Sequence, residues 1–369
     1  MARHKSFKNA ESLRSFLKAV VPLDVYYSSA RYEKPEEKME DKGRTGTDLI
    51  FDIDADHIPT PCRKDHDRWI CSSCGAIGKG ATPGKCSSCG EQKFQEETWF
   101  CEICLDSAKT ETMKLIDFLM RDLGFSSEEI EVSFSGHRGY HICVESEEVQ
   151  TLDQMARREI VEYILGIGLE TEFHGLGERS EERSRILFGP GLDGSGWRGR
   201  IARGVYELLL SATPEELQQI GLRKKVASNL TEHRELLLES WKGKGPWGVT
   251  KDVGFESWKK IARHGAEKQS AKIDTVVTTD IHRLIRLSNT LHGKTGLRKI
   301  EVPITGIEQF DPLERAVAFK EGSATVVVSY APQFKLGNGT YGPYQGETIE
   351  LPMAAALLLL CKGRAKMVE

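Results

Sequence analysis

The chain has 369 residues, 39% of them hydrophobic, which is enough to bury a core and to form two or three domains. Its net charge of -4 excludes a global basic field that attracts polyanions, so any nucleic-acid surface must be local. No stretch reaches the roughly 20 apolar residues of a membrane span. The basic N-terminus, MARHKSFKN, lacks the apolar stretch of a signal peptide, so we expect a cytoplasmic protein with no membrane partner.

The first elements along the chain are a helix near Ala10 to Val20 and a buried strand in FDIDADHI, residues 51 to 58. Side chains alternate along a strand, so Asp52, Asp54 and Asp56 are expected on one face, about 7 Å apart. Three like charges in that arrangement are unfavourable unless a cation lies between them. Hard divalent ions with oxygen ligands, Mg²⁺ or Mn²⁺, meet this need, and the alternative is a solvated strand end.

Seven of the nine cysteines follow between residues 62 and 104. CSSCGAIGKGATPGKCSSCG holds two CxxC pairs, a spacing typical of four thiolates around tetrahedral zinc. Its ligands would be Cys71, Cys74, Cys86 and Cys89. The flanking residues predict a second structural zinc, held by Cys62, His66, Cys101 and Cys104. His57 in place of His66, or an exchange of cysteine pairs, is the alternative for this second set.

After the cysteines we predict a helix in AKTETMKLIDFLMRDLGF that ends at Gly124, and then two strands, EVSFS and YHICVE. The turn between these strands reads SGHRGYH, from Ser135 to His141. Its glycines allow close backbone approach, and its serine, arginine and histidine side chains can contact phosphate oxygens. By itself this turn is also compatible with an ordinary hairpin.

Residues 150 to 265 are charged and helical, with Gly-rich joints. We therefore expect a mainly helical subdomain there, inserted into a discontinuous α/β core of residues 1–149 and 266–369. A capping box at Thr213, with proline at the first helical position, predicts the start of one helix. The arginines of GWRGRIARG are a candidate patch for template or partner, with a solvated loop as the alternative.

The α/β pattern returns in IDTVVTTDIHRLIRLSNTLHGKTGL, which begins at Ile273. We predict a strand that carries Asp274, then a helix capped by Asp280 with Arg286 on it, and then a loop that presents His292. A carboxylate, cations and an imidazole this close together are the groups that a metal-bound triphosphate requires. Later elements are a strand in ATVVVSY, a turn at Asn338-Gly339 and an apolar helix in PMAAALLLLC.

With these motifs in this order, the chain resembles the small, catalytic subunit of archaeal and eukaryotic DNA primase. DLIFDIDADHIP is similar to the family's two-aspartate metal motif, FSGHRGYHI to its nucleotide-binding motif, and the stretch from Asp274 to His292 to its third-carboxylate and histidine motif. The second cysteine set resembles the family's zinc knuckle. The resemblance implies an α/β (α+β) catalytic core on a mixed sheet, with a zinc knuckle and inserted ribbon at residues 62–104 and a helical subdomain.

The resemblance also implies an enzyme, a DNA-dependent primase that makes short primers on single-stranded DNA from nucleoside triphosphates and releases pyrophosphate. Two catalytic Mg²⁺ or Mn²⁺ ions would be bound by Asp52, Asp54 and Asp274. The residues implied to hold the incoming triphosphate are Ser135, His137, Arg138, His141, Arg286 and His292. The expected partners are a large iron-sulfur subunit in a heterodimer and the single-stranded DNA template.

Three features depart from the family pattern. His137 stands where an arginine is frequent, Ser288-Asn289 replaces a turn with proline, and members usually have a strand-forming segment upstream of MARHKSF. If the start is truncated, we expect part of the core sheet and template side to be missing. Two other functions stay open: a non-catalytic zinc-ribbon adaptor, which would not need Asp274 or His292, and a primase-polymerase or end-joining relative, which would act on primed template.

Overall fold

The computed structural model describes residues 2–181 and 184–368. The chain forms two compact units. The first unit consists of Met1–Met113, Ser126–Arg158 and Lys272–Glu369, and the second of Lys114–Phe125 and Glu159–Ala271. Within the described residues, we find no helix with the length and apolar character needed to cross a membrane.

The elements of the N-terminal part are α1 (Ala10–Val20), β1 (Tyr26–Ser28), β2 (Ala30–Tyr32), β3 (Arg44–Thr47), β4 (Leu49–Asp54), α2 (Arg63–His66), β5 (Arg68–Cys71), β6 (Ile77–Lys79), β7 (Phe94–Glu97) and α3 (Glu102–Asp117). The predicted first helix is confirmed, and it begins where the Asn9 side chain accepts the Ser12 backbone N–H at 2.9 Å. A π-helical turn, Phe118–Asp122, continues α3 almost to Gly124, whose φ of 80° favours glycine.

The middle of the chain forms β8 (Ile130–Phe134), β9 (Gly139–Val144), α4 (Glu147–Gln150), α5 (Gln154–Leu165), β10 (Gly177–Glu181), β11 (Ser184–Phe188), α6 (Gly196–Ser211), α7 (Pro214–Gln219), α8 (Lys224–Glu232), α9 (Arg234–Glu239) and α10 (Phe255–Gln269). The predicted capping box is present: the Thr213 hydroxyl accepts the Glu216 N–H, and the Glu216 carboxylate accepts the Thr213 N–H. Helices α6 and α10 pack together in the second unit, where a Cβ on Gly204 would lie 2.3 Å from the Gly265 carbonyl oxygen.

The C-terminal part forms α11 (Thr275–Thr279), β12 (Leu284–Arg286), β13 (Ile300–Glu301), α12 (Pro312–Arg315), β14 (Ser323–Val328), β15 (Phe334–Leu336), β16 (Gly339–Tyr341), β17 (Glu347–Pro352), α13 (Met353–Cys361) and β18 (Ala365–Met367). The predicted strand in ATVVVSY, the turn at Asn338 and the apolar helix are confirmed as β14, the β15–β16 hairpin and α13.

The central sheet of the first unit has the strand order β13-β8-β9-β4. Its register gives it one apolar face, which consists of the buried residues Leu49, Phe51, Ile53, Ile130, Val132, Phe134, Tyr140, Ile142 and Val144. The opposite face carries Asp52 and Asp54, with His141 directly across from Asp52. At the Ile50 end of β4 this second face is also covered, because Ile50, Cys143, Val277 and Ile285 form a buried cluster. Polar side chains therefore concentrate at the Asp54 end.

The expectation of a fold that combines helices and sheets is confirmed, but the expectation of a mixed sheet is wrong. Every pair of strands among the described residues is antiparallel. In the central sheet the reason is local: β8 and β9 are joined by a short turn at residues 135–138, and such a connection allows only antiparallel pairing.

The segment that begins at Ile273 departs from the prediction. Asp274 does not lie in a strand: it caps α11, and its Oδ1 accepts the Val276 N–H at 2.9 Å. The β-branched run TVVTT suggested a strand because such residues favour sheets, whereas the capping aspartate starts a helical turn. Asp280 ends this short helix instead of capping a following one, and its carboxylate accepts the His282 N–H.

The predicted helix with Arg286 on it is likewise wrong. Residues 284–286 form β12, which pairs antiparallel with β1, so that Arg286 lies opposite Tyr26. The partner strand stands at the other end of the chain, and local periodicity contains no information about such a distant pairing.

The GWRGRIARG segment lies in α6, and one of its arginines belongs to the core of the second unit. Arg200 is buried, its Nε donates to Asp122 at 2.7 Å, and its guanidinium lies 3.4 Å from the centroid of the Phe118 ring. The predicted template patch is therefore wrong for Arg200, whereas Arg198 is exposed.

Candidate active site and metal centres

Three carboxylates from two distant parts of the sequence meet at the end of β4. Asp52 and Asp54 belong to the strand, and the Asp274 backbone N–H donates to the Asp52 carbonyl at 2.9 Å. This bond places the start of α11 beside the acidic strand. Asp56, expected on the same face, lies beyond the strand in the 3-10 turn Ala55–His57 and pairs with Arg138. The expectation of three aspartates on one strand face is therefore corrected to two, with Asp274 as the third carboxylate.

The electrostatics of this trio fit divalent cations. Burial raises the pKa of Asp52 to about 7, and the charges of Asp54 and Asp274 act in the same direction. Burial also raises the pKa of Asp54. Raised values mean that the carboxylates lack enough positive charge around them, which Mg²⁺ or Mn²⁺ would supply. Within the described chain their ligand oxygens do not all lie within 4.8 Å of one another, and Asp274 Oδ1 is turned to its capping hydrogen bond.

His141 faces this acidic pair from β9. Its Nε2 lies 3.5 Å from Asp52 Oδ1. Burial, together with the positive charges of Lys299 and Arg286, lowers the pKa of His141 to about 3. The imidazole is therefore neutral at pH 7 and offers a hydrogen bond but no charge.

The turn SGHRG and the His292 loop lie against each other. The His137 and His292 rings stack with centroids 5.0 Å apart at 10°, and burial lowers the pKa of both to about 3. Gly136 has a φ of 84°, and a Cβ there would lie 3.0 Å from the His292 Cβ, so glycine is required. The Ser135 hydroxyl accepts the His137 N–H at 3.3 Å. The structure thus brings together Ser135, His137 and His292, three of the residues predicted to bind the nucleotide.

Arg286 lies beside the His292 loop and is only 6% exposed in its side chain. Its Nη1 donates to Asp24 at 2.6 Å and to the Leu291 carbonyl at 3.0 Å, and its Nη2 donates to the Tyr26 hydroxyl at 3.0 Å. Asp24 also accepts the Gly293 N–H at 3.0 Å, so it orients both the arginine and the loop. Sequence reasoning missed Asp24 and Tyr26 because nothing near them in sequence signals a partner at Arg286.

The loop keeps its turn although Ser288-Asn289 replaces the family's proline. Asn289 adopts φ 62°, a left-handed conformation that asparagine tolerates better than most residues, and its N–H donates to the Lys299 carbonyl at 2.9 Å. The His292 N–H donates to the Leu297 carbonyl at 2.7 Å and closes the loop.

Arg138, predicted to contact the triphosphate, is placed differently from the others. Its side chain is 1% exposed. Its Nη1 donates to the Trp99 carbonyl at 2.6 Å and lies 3.3 Å from Asp67 Oδ1, while its Nη2 pairs with Asp56. The guanidinium is thus committed to protein partners, and the structure does not present it to a ligand.

The two predicted sets of cysteine and histidine ligands each come together, with all four ligand atoms within 4.8 Å of one another. We call Cys62, His66, Cys101 and Cys104 the knuckle site, and Cys71, Cys74, Cys86 and Cys89 the ribbon site. His66 belongs to the first group rather than His57, and the pairs are not exchanged. Sulfur separations of 3.3 Å for Cys62–Cys104 and 3.6 Å for Cys71–Cys89 bring the donors close enough to share one ion. Either group could hold a structural metal, and its donors suit zinc.

Comparisons with known proteins all point to one family. Residues 89–304 match a family model described as DNA primase small subunit. Proteins named DNA primase small subunit PriS from Nitrosopumilus maritimus, Cenarchaeum symbiosum and Methanothrix thermoacetophila are 32%, 33% and 33% identical to the chain. These alignments cover 99%, 99% and 100% of this chain and 88%, 88% and 89% of those proteins. The chain therefore belongs to the DNA primase small-subunit family, whose members are DNA-directed nucleotidyltransferases.

Proposed function

We propose that this protein is the catalytic subunit of a DNA primase that makes short primers on single-stranded DNA from nucleoside triphosphates and releases pyrophosphate. The observation that carries this proposal is the meeting of Asp274 with Asp52 and Asp54 on the polar face of the central sheet. A zinc-ribbon adaptor would have no use for a third carboxylate at this point. Membership of the family over nearly the whole chain supports the same conclusion.

Asp52, Asp54 and Asp274 would hold two Mg²⁺ or Mn²⁺ ions. Such ions activate the attacking hydroxyl and stabilise the charge of an in-line phosphoryl transfer. The protein side chains would then bind and orient the attacking hydroxyl and the nucleoside triphosphate. Little proton transfer by these side chains is required.

The neutral histidines suit the triphosphate side of this site. His137, His141 and His292 can donate N–H hydrogen bonds to phosphate oxygens without repelling the metal ions. Positive charge would come from the exposed Lys294 in the His292 loop and, at longer range, from Arg286, whose guanidinium is paired with Asp24. A bound triphosphate would raise the pKa of these imidazoles, because opposite charge favours their protonated form.

The remaining parts of the proposal concern metals and partners. Zinc at the knuckle and ribbon sites would stabilise a segment with few apolar residues of its own. A net charge of -4 fits a subunit that depends on a partner for DNA binding. We propose a large iron-sulfur subunit as that partner, in a cytoplasmic heterodimer.

Template-dependent synthesis on unprimed single-stranded DNA tests the proposal, with and without the large subunit. Asp52→Asn/Asp54→Asn should abolish synthesis while zinc content and the circular dichroism spectrum stay unchanged. Asp41→Asn, an exposed aspartate of the same unit, is the matched control and should behave like the wild type. Synthesis by the double variant would refute the metal site, and activity on primed template alone would favour a primase-polymerase.

A further inference from the structure

Asp67 links the knuckle site to the turn beside the catalytic carboxylates. Its side chain is 4% exposed, and its Oδ1 accepts hydrogen bonds from His66 Nδ1 at 2.8 Å and from the Trp99 backbone N–H at 2.9 Å. Arg138 Nη1 lies 3.3 Å from the same oxygen. One buried carboxylate therefore contacts a metal-binding histidine and a residue of the nucleotide-binding motif.

Arg138 transmits this contact to the acidic strand. Its Nη1 also donates to the Trp99 carbonyl at 2.6 Å, so Asp67 and Arg138 hold the backbone of Trp99 from both sides. The Arg138 carbonyl accepts the Ala55 N–H at 3.2 Å, directly after Asp54. Its neighbour Gly139 pairs with Asp54, where a Cβ would lie 1.9 Å from the Ile53 carbonyl oxygen. The backbone of this turn is thus packed tightly against the end of β4.

The contacts of Asp67 with His66 and with Arg138 each have a chemical reason. A histidine that binds a metal through Nε2 must carry its proton on Nδ1, and a carboxylate partner sets that tautomer and the orientation of the ring. His66 Nε2 lies 3.2 Å from Cys104 Sγ, so it is the nitrogen that faces the knuckle ligands. At the other end a buried guanidinium needs charged partners, and Asp67 provides one at Nη1 while Asp56 pairs with Nη2.

We propose that Asp67 is a positioning residue that couples the knuckle metal to nucleotide binding, through His66 on one side and Arg138 on the other. This inference rests on the proposed function of the acidic face. A metal in the knuckle site holds His66 and Asp67 in place, Asp67 holds Arg138, and Arg138 holds the turn that carries Ser135 and His137. Occupancy of the knuckle site should then raise the affinity for a nucleoside triphosphate, and by linkage the nucleotide should raise the affinity for the metal.

The first test compares Asp67→Asn with Asp65→Asn, an exposed aspartate in the short helix α2 that Asp67 directly follows. Binding of fluorescently labelled ATP with Mg²⁺ and no template is measured on the full chain with its zinc content determined. Removal of a carboxylate partner of a metal-binding histidine typically lowers metal affinity or activity by roughly 10- to 100-fold, and we expect Asp67→Asn to weaken ATP binding by roughly 10-fold or more through the same loss of positioning. Asp65→Asn should bind like the wild type, and Asp67→Glu should recover part of the loss.

A double-variant cycle separates coupling from a general loss of structure. If Asp67 acts through Arg138, Asp67→Asn/Arg138→Gln should bind ATP no more weakly than Arg138→Gln alone. Additive losses, or wild-type ATP affinity in Asp67→Asn, would overturn the proposal.

The reciprocal measurement leaves Asp67 and Arg138 unchanged, so it does not depend on a folding defect in a variant of either residue. Zinc released at equilibrium to a chelator is measured with and without ATP, in a Cys86→Ser/Cys89→Ser background that lacks the ribbon metal. ATP should lower the release, and equal release would also overturn the coupling. Failure of the proposed function would show up separately, as absence of primer synthesis by the wild type with the large subunit, or as synthesis that survives loss of Asp52 and Asp54.

Discussion

Asp52 and His141 lie opposite each other on neighbouring strands, and burial moves their pKa values in opposite directions, up to about 7 and down to about 3. Each shift disfavours the charged form. His141 therefore cannot neutralise Asp52 above pH 7, when Asp52 ionises beside Asp54 and Asp274. The site therefore carries negative charge that His141 does not neutralise, and a divalent cation would stabilise it.

Asp52→Asn should make the protein more stable at pH 8 when no Mg²⁺ or Mn²⁺ is added. The pKa of Asp52 is about 7 in the folded state and about 3.9 in an unfolded chain, so its stabilising contribution at low pH is lost as the pH rises through 7. We expect a gain of roughly 1–3 kcal/mol at pH 8, reduced because the side chain is partly solvated.

Thermal unfolding at pH 8 and pH 4 measures this effect, with Asp41→Asn as the control. The increase in the unfolding midpoint of Asp52→Asn over the wild type should be absent at pH 4. It should also become smaller when Mg²⁺ is added, because the ion stabilises the wild type. Equal unfolding midpoints at pH 8 would show that burial and the neighbouring carboxylates do not destabilise the ionised Asp52 side chain.

Helices α1 and α7 both begin with a capping box, but they differ in how many of their side chains are buried. Helix α7 buries Leu217, whereas none of the residues of α1 is buried. Burial of an apolar face contributes most of a helix's stability in a protein, so the same cap has different consequences in the two places.

Thr213→Ala should lower the free energy of unfolding of the second unit by about 1 kcal/mol, the usual effect of losing an N-cap. Asn9→Ala is the matched variant, and it should increase amide hydrogen exchange in α1 with no change in the global unfolding midpoint. Hydrogen exchange with mass spectrometry, together with urea unfolding, distinguishes the two. A large global loss in Asn9→Ala would mean that α1 is packed more firmly than its exposure indicates.

Local sequence signals predicted the capping box at Thr213 and the strands β4, β8, β9 and β14, because each depends on residues within a few positions of one another. They failed at Ile273 to Arg286, where the short helix α11 and the strand β12 depend on contacts with Asp52 and with β1. The general rule is that local propensity is overridden where a distant strand supplies the partner.

At the scale of the whole molecule, the two cysteine sites have different surroundings. In the knuckle site Cys62 and Cys104 are buried, and Asp67 connects it to the central sheet. In the ribbon site Cys74 and Cys89 are exposed, and the attached strands form a separate sheet in the order β6-β5-β7. Loss of the ribbon metal should therefore destabilise only the ribbon, whereas loss of the knuckle metal should also disturb the central sheet.

We expect Cys74→Ser/Cys89→Ser to remove about one zinc ion per chain and to leave ATP affinity near that of the wild type. Cys62→Ser should remove the knuckle zinc, lower the unfolding midpoint and weaken ATP binding. Elemental analysis for zinc and ATP binding on the same samples check both statements. Equal weakening by the two variants would show that the ribbon also supports the active site.

The amino-acid sequence was sufficient to predict the chemical groups of this protein: two sets of metal ligands with a recognisable spacing, an acidic strand, a glycine-containing turn and a third carboxylate followed by a histidine. These features are short-range patterns, so they can be recognised without coordinates. Which of these groups meet depends on the packing of the folded chain. It placed Asp274 beside Asp52, gave Arg286 its partners Asp24 and Tyr26, and directed Arg138 to Asp67 rather than to an open face. The reason is that such contacts join residues far apart in the chain, and packing of the whole unit selects them.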